Sequence, residues 1–169
     1  MTRKFVVMGV AGCGKTSIGN MLARHMNAVF IDGDDLHPPA NIAKMSRGEP
    51  LDDSDRAPWL ARVSATLAES DGVTLIGCSA LRKIYRHWIR EGVSEPVMFI
   101  HLAGSRDVIA ERMGEREGHF MPTSLLDSQF ETLEPPEDDE LSLTVDIDRS
   151  QEDVVEAILA DPLMRQQTS

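Results

Sequence analysis

The sequence predicts a doubly wound α/β fold, in which a five-stranded parallel sheet carries helices on both faces. Three observations lead there. Short β-rich runs alternate with longer helical patterns, and those runs are apolar almost without interruption, as strands buried on both faces require. A glycine-rich turn joins the first strand to the first helix. The first strand is read at residues 4–8, followed by a helix over 16–26 and a second strand over 28–31. A helix over 57–70 repeats Trp59, Leu60, Val63 and Leu67 at helical spacing, with Pro58 in the first turn, where a missing N–H costs nothing. Residues 73–78 form the third strand, 82–90 a helix and 97–102 the fourth strand. A helix over 106–116 turns Val108, Ile109 and Met113 inward. The fifth strand covers 142–147 and the last helix 152–159.

Length and charge narrow the function. The 169 residues suit one domain over 1–169, and 41% hydrophobic content is enough for a packed core. Seventeen Lys+Arg against 28 Asp+Glu leave a net charge of −11, which argues against nucleic acid or an anionic membrane as partner. No apolar run approaches the roughly 20 residues of a membrane span. The basic residues at the start lead straight into a strand, so no signal peptide is expected. Cys13 and Cys78 make no disulfide framework, which fits a reducing cytoplasm.

The glycine-rich turn carries chemistry. Gly9-Val10-Ala11-Gly12-Cys13-Gly14-Lys15-Thr16 matches G-x-x-x-x-G-K-S/T between an apolar strand and an amphipathic helix. Backbone N–H groups of such a loop surround a phosphate chain, and the helix N-terminus adds partial positive charge. All eight residues are therefore candidate ATP ligands, with Lys15 on the β- and γ-phosphates and the Thr16 hydroxyl on Mg²⁺. Cys13 is read as a small residue tolerated by the loop. The fold class becomes that of the P-loop NTPases.

Two segments interrupt the strand–helix rhythm at the carboxyl ends of strands, where open α/β sheets bind ligands. Residues 33–60 are expected to bind substrate, and residues 112–140 to form a lid. The second strand runs into Asp32-Gly33-Asp34-Asp35, and no N-K-x-D guanine-reading motif follows a strand. Phosphoryl transfer to an alcohol needs one acid to orient Mg²⁺ and its waters and another to accept the hydroxyl proton. Asp32 and Asp34 are candidates for these tasks, in that order.

The sequence resembles the gluconate kinase family. The resemblance lies in His37, Asn41-Ile42, Lys44-Met45, Gly48, Pro50-Leu51, Asp53, Asp55-Arg56 and Pro58-Trp59-Leu60. It continues through Cys78-Ser79-Ala80-Leu81 with Tyr85-Arg86, then Gly118-His119-Phe120-Met121, then residues 128–134 and Val145-Asp146-Ile147, covering roughly residues 4–160. It implies a nucleoside-kinase-like fold and ATP-dependent phosphorylation of D-gluconate to 6-phosphogluconate in a dimeric cytoplasmic enzyme. The third strand departs from an apolar run ending in Asp: it ends Ile76-Gly77-Cys78-Ser79, leaving Ser79 or a water held by Asp32 for the metal. Asp35 is assigned no catalytic role.

A linear acid sugar needs a fork-like donor for its carboxylate, which arginine supplies. Arg56 is the first candidate, with Arg82 and Lys83 second; His37, His119 and Gln129 are candidates for the hydroxyl groups. Arg112 and Arg116 lie i, i+4 at the lid entrance and are expected to stabilise the transferring phosphoryl on closure. The acidic run over residues 134–140 is read as a solvated loop. Two other functions compete: a kinase of shikimate or of a nucleoside monophosphate, distinguished by residues 37–60, and a nucleotide-dependent switch, which the carboxylate pair and lid arginines disfavour.

Overall fold

The computed structural model of the protein describes residues 2–114 and 123–168. Five strands, β1 (Lys4–Met8), β2 (Val29–Asp32), β3 (Thr74–Gly77), β4 (Val97–Ala103) and β5 (Ser142–Asp146), form one sheet in the order β2-β3-β1-β4-β5. Every neighbouring pair is parallel. The helices are α1 (Lys15–Met26), α2 (Pro39–Ser46), α3 (Asp53–Glu69), α4 (Lys83–Glu91), α5 (Arg106–Gly114), α6 (Thr123–Thr132), α7 (Gln151–Ala160) and α8 (Pro162–Thr168).

Strand pleating divides the core in two, because successive side chains point to opposite faces. Phe5 and Val7 of β1 join Ile18 and Leu22 of α1 and Val154, Val155 and Ile158 of α7 on one face. Val6 and Met8 join Leu60, Val63 and Leu67 of α3 and Ile89 of α4 on the other. The central strand β1 is buried along its whole length. The loop that follows β1 therefore starts from the packed centre of the sheet.

The observed elements depart from the predicted ones where local chemistry overrides apolar periodicity. Helix α3 begins at Asp53, four residues before the expected start. The Asp52 side chain accepts from the Asp55 N–H, and the Asp55 side chain accepts from the Asp52 N–H, a reciprocal capping box. Pro58 is consequently interior rather than in the first turn, and α3 forgoes the N–H bond to the Ser54 carbonyl. Residues expected to be irregular contain a 3₁₀ turn at Gly33–Leu36 and then α2.

The acidic run is not uniformly solvated either. Glu140 is buried, and its carboxylate accepts from Arg86 Nε at 2.7 Å and Nη2 at 3.1 Å, and from Arg90 Nη1 at 3.0 Å. Arg86 is itself fully buried and donates further to the Ala80 carbonyl (2.8 Å) and the Glu134 carbonyl (2.9 Å). One guanidinium thus ties the turn after β3 to the segment returning from α6. A buried carboxylate survives in an acidic loop because two arginines satisfy it.

Candidate active site

The phosphate loop leaves β1 at the centre of the sheet. Gly9, Gly12 and Gly14 all adopt positive φ, a region costly to residues with a Cβ. At Gly12 a Cβ would also come within 2.6 Å of Met113 on α5, so the loop and α5 are in close contact. Lys15 opens α1, and its ammonium donates to the Gly9 carbonyl (3.0 Å) and the Val10 carbonyl (3.1 Å), inside the curl of the loop. The Thr16 side chain follows on the exposed first turn of α1.

Register brings the aspartates to the same end of the sheet. Asp32 pairs with Gly77 of β3, and Gly77 pairs with Val7 of β1, two residues before the loop. Two glycines make the approach possible. A Cβ on Gly33 would stand 2.3 Å from the Gly77 carbonyl oxygen, and a Cβ on Gly77 would touch the Lys15 stem at 3.8 Å. One Asp32 oxygen accepts from the Asp34 N–H at 2.9 Å, which turns the 3₁₀ segment and aims Asp34 outward. Crowding by surrounding protein and then the charge of Asp32 push the Asp34 pKa above the ordinary aspartate value of 3.8, with Lys15 and His37 opposing. Its carboxyl tip is open, with 77% of the side chain exposed.

His37 backs this group. The ring is buried, stacks on Trp59 at 4.1 Å between centroids, and brings Nε2 to 4.0 Å from Asp34 Oδ1. Trp59 Nε1 donates to the Gly33 carbonyl at 2.8 Å and so pins the 3₁₀ turn to α3. Burial lowers the His37 pKa, and Arg56 lowers it further, against the opposing pull of Asp34.

Beside these groups lies a cavity of about 370 Å³ lined by Asp53, Arg56, Arg82, Tyr85, Glu131, Thr132 and Glu134. The Tyr85 hydroxyl donates to Asp53 at 2.5 Å and accepts from Arg56 Nη1 at 3.1 Å. Arg82 Nη1 donates to Asp53 at 3.0 Å, and its Nε stands 3.7 Å from Glu134. Arg56 is less engaged, 3.9 Å from Asp53. The cavity lining thus carries two guanidinium groups and three carboxylates.

Comparison with known proteins identifies the family. The family described as Shikimate kinase matches residues 11–160. The thermoresistant gluconokinase of Escherichia coli (strain K12) is 47% identical over 89% of this chain and 88% of its own. The gluconokinase of Gluconobacter oxydans is 46% identical over 93% and 89%. A crystal structure of a gluconokinase from Sinorhizobium meliloti superposes with a TM-score of 0.89 at 45% identity, covering 98% of this chain and 93% of that one. This chain belongs to the gluconokinase family. It is a kinase of P-loop architecture, and among the described residues no helix is long and apolar enough to cross a membrane.

Within this gluconokinase fold, Lys15, Asp32, Asp34, His37, Arg56 and Arg82 gather at the carboxyl end of the sheet. Three other expected residues sit differently. The Lys83 ammonium lies on Glu137 (3.2 Å) and Asp139 (2.8 Å) instead of lining the cavity, because the acidic return segment supplies stronger partners. Gln129 of α6 uses its side-chain oxygen to accept from the Ala11 N–H at 2.6 Å, which places it on the phosphate loop rather than in the cavity. The Arg112 guanidinium donates to the carbonyls of Ile147 and, at 2.8 Å, Arg149, anchoring α5 to the turn after β5. Arg116 and His119 lie outside the described residues. Asp53 and Tyr85 belong to the blocks that carry the family resemblance, but their pairing spans 32 positions of chain and only the fold reveals it.

Proposed function

We propose that the protein transfers the γ-phosphoryl of ATP to the 6-hydroxyl of D-gluconate, giving 6-phosphogluconate and ADP. The observation that carries this reading is the convergence of Lys15, Asp34 and a mixed-charge cavity headed by Arg56 at one end of the sheet. In this reading the loop over residues 9–16 binds the ATP phosphates. Lys15 carries charge to the transferring group, and Asp34 accepts the hydroxyl proton. Arg56 grips the gluconate carboxylate, Arg82 shapes the cavity wall, and Arg116 is the arginine that meets the transferring phosphoryl.

Mg²⁺ fits the donor set. The ion holds few protein ligands and keeps several waters, so one hydroxyl, one carboxylate and phosphate oxygens suffice. Thr16 and Asp32 would hold it, the second oxygen of Asp32 remaining for a coordinated water, and the ion would neutralise charge on the phosphates. The protein is further proposed to act as a single-domain, dimeric, cytoplasmic enzyme, which rests on family membership.

The test is a coupled assay at fixed MgATP with D-gluconate, its epimers and shikimate as acceptors. Turnover confined to gluconate supports the reading, and preferred turnover of shikimate rejects it. For the carboxylate site, Arg56→Ala is expected to raise KM for gluconate by about 10–100-fold, the worth of a charge-assisted hydrogen bond. KM for ATP should move by less than about threefold, and an equal rise in both would reject carboxylate binding by Arg56.

A further inference from the structure

Asn41, on the buried face of α2, is not part of the reaction machinery described above, yet its contacts decide which hydrogens the site can offer. Its Nδ2 lies 2.9 Å from the Asp55 carbonyl oxygen and 3.2 Å from His37 Nδ1. A backbone carbonyl only accepts, so the end of the amide facing Asp55 must be the NH₂; turned over, it would press two carbonyl oxygens together. The NH₂ has two hydrogens. One goes to Asp55, which leaves the other pointing at His37 Nδ1, and that nitrogen must then be an unprotonated acceptor. The ring proton therefore resides on Nε2, which faces Asp34 Oδ1 at 4.0 Å.

We propose that Asn41 is a positioning residue that holds His37 as the neutral Nε2–H tautomer, so that the acceptor hydroxyl is obliged to direct its own proton to Asp34. This rests on the phosphoryl-transfer reading above. A separation of 4.0 Å is too long for a direct bond, but an oxygen about 2.8 Å from each atom fits between them. A hydroxyl has one proton to give and lone pairs to receive with. With Nε2 protonated, the hydroxyl accepts from His37 and donates to the Asp34 carboxylate. With the other tautomer, Nε2 would be an acceptor and would compete with Asp34 for that single proton.

The surroundings agree. The Trp59 stack prevents the ring from turning away, and the charged groups facing it are Asp34 from the 3₁₀ turn and Arg56 from α3. Protonating Nδ1 would set its hydrogen against those of Asn41. The ring therefore resists becoming imidazolium, the direction in which burial and Arg56 also act.

The experiment is long-range ¹H–¹⁵N correlation spectroscopy on histidine-labelled protein without substrate, with His37 assigned by its loss in His37→Gln. The wild-type ring should show protonated Nε2 and unprotonated Nδ1 at pH 7. In Asn41→Asp the carboxylate draws a proton onto Nδ1, and the His37 titration should move up by at least about one pH unit. In the same variant kcat for gluconate should fall by about 10–100-fold, the usual cost of losing an orienting partner, with KM for ATP changed less than about twofold. A wild-type Nδ1–H tautomer, an imidazolium at pH 7, or an Asn41→Asp spectrum identical to wild type would each overturn the proposal. Should Asn41→Asp not fold, the wild-type spectrum and Asn41→Leu, which removes the donor and should free the tautomer, decide it. The spectrum needs no turnover, so failure of the gluconate assay would be a separate result.

Discussion

Asp34→Asn is expected to lower kcat for gluconate by about 10²–10⁴-fold, the range associated with removing a general base. The substitution preserves shape and the Asp34 N–H that Asp32 accepts from, so the 3₁₀ turn should stand. ATP binding depends on the loop after β1, and its Kd should change by less than about threefold. The wild-type pH profile supplies a second reading. Asp34 must be ionised to accept a proton, and crowding together with Asp32 raises its pKa above 3.8. Activity should therefore climb with pH through a limb that lies above the ordinary aspartate range, and the variant should lack that limb. Turnover of Asp34→Asn within tenfold of wild type would remove the aspartate from the chemistry.

The second large effect concerns stability. Glu140→Ala leaves Arg86 buried without its carboxylate, and breaking such a pair costs about 3–5 kcal/mol. At roughly 2–4 °C per kcal/mol for a chain of this size, Tm at pH 7 should drop by about 6–20 °C. Burial works against ionisation of Glu140, but hydrogen bonds from Arg86, the Glu137 N–H and Arg90 outweigh it and hold the pKa at about 2, against 4.5 for a free glutamate. A depressed folded-state value means that this stabilisation is complete above about 4.5 and drains away as pH falls towards about 2. Thermal melts followed by circular dichroism should thus show the gap between wild type and variant narrowing across that window. A gap under about 1 kcal/mol at pH 7, or one that does not narrow in acid, would mean that the cluster is not the tie it looks to be. Because Arg86 also holds the carbonyls of Ala80 and Glu134, a variant that remains folded should show a raised KM for the acceptor before any change for ATP.

The fold was legible because its determinants are local. Near-continuous apolar strands, helical spacing of Leu60, Val63 and Leu67, and an ungapped phosphate loop each declare themselves within a few residues. Asp32 and Asp34 could be nominated for the same reason, since they follow a strand directly. Pro58 shows the limit of periodicity. The apolar pattern begins at Trp59, whereas the helix begins where Asp52 and Asp55 cap each other, and capping is polar chemistry invisible to a hydrophobic count. Arg112 and Lys83 show another limit. As free cations they looked ready for phosphate or carboxylate, and only folding shows that backbone carbonyls and acidic neighbours have already engaged them.

Sequence alone determined the five-stranded α/β architecture and the phosphate loop, since each is written in contiguous residues whose physics acts over one or two turns of chain, and the kinase class followed from a resemblance carried by blocks spread along the sequence. Tertiary structure decided which charges remain available to a ligand. It set Arg56 beside Tyr85, buried Glu140 between two arginines, moved Gln129 onto the phosphate loop, and turned Asn41 so that His37 offers one particular nitrogen. Availability depends on partners brought together from distant positions, and the geometry of those encounters exists only once the sheet has closed its register.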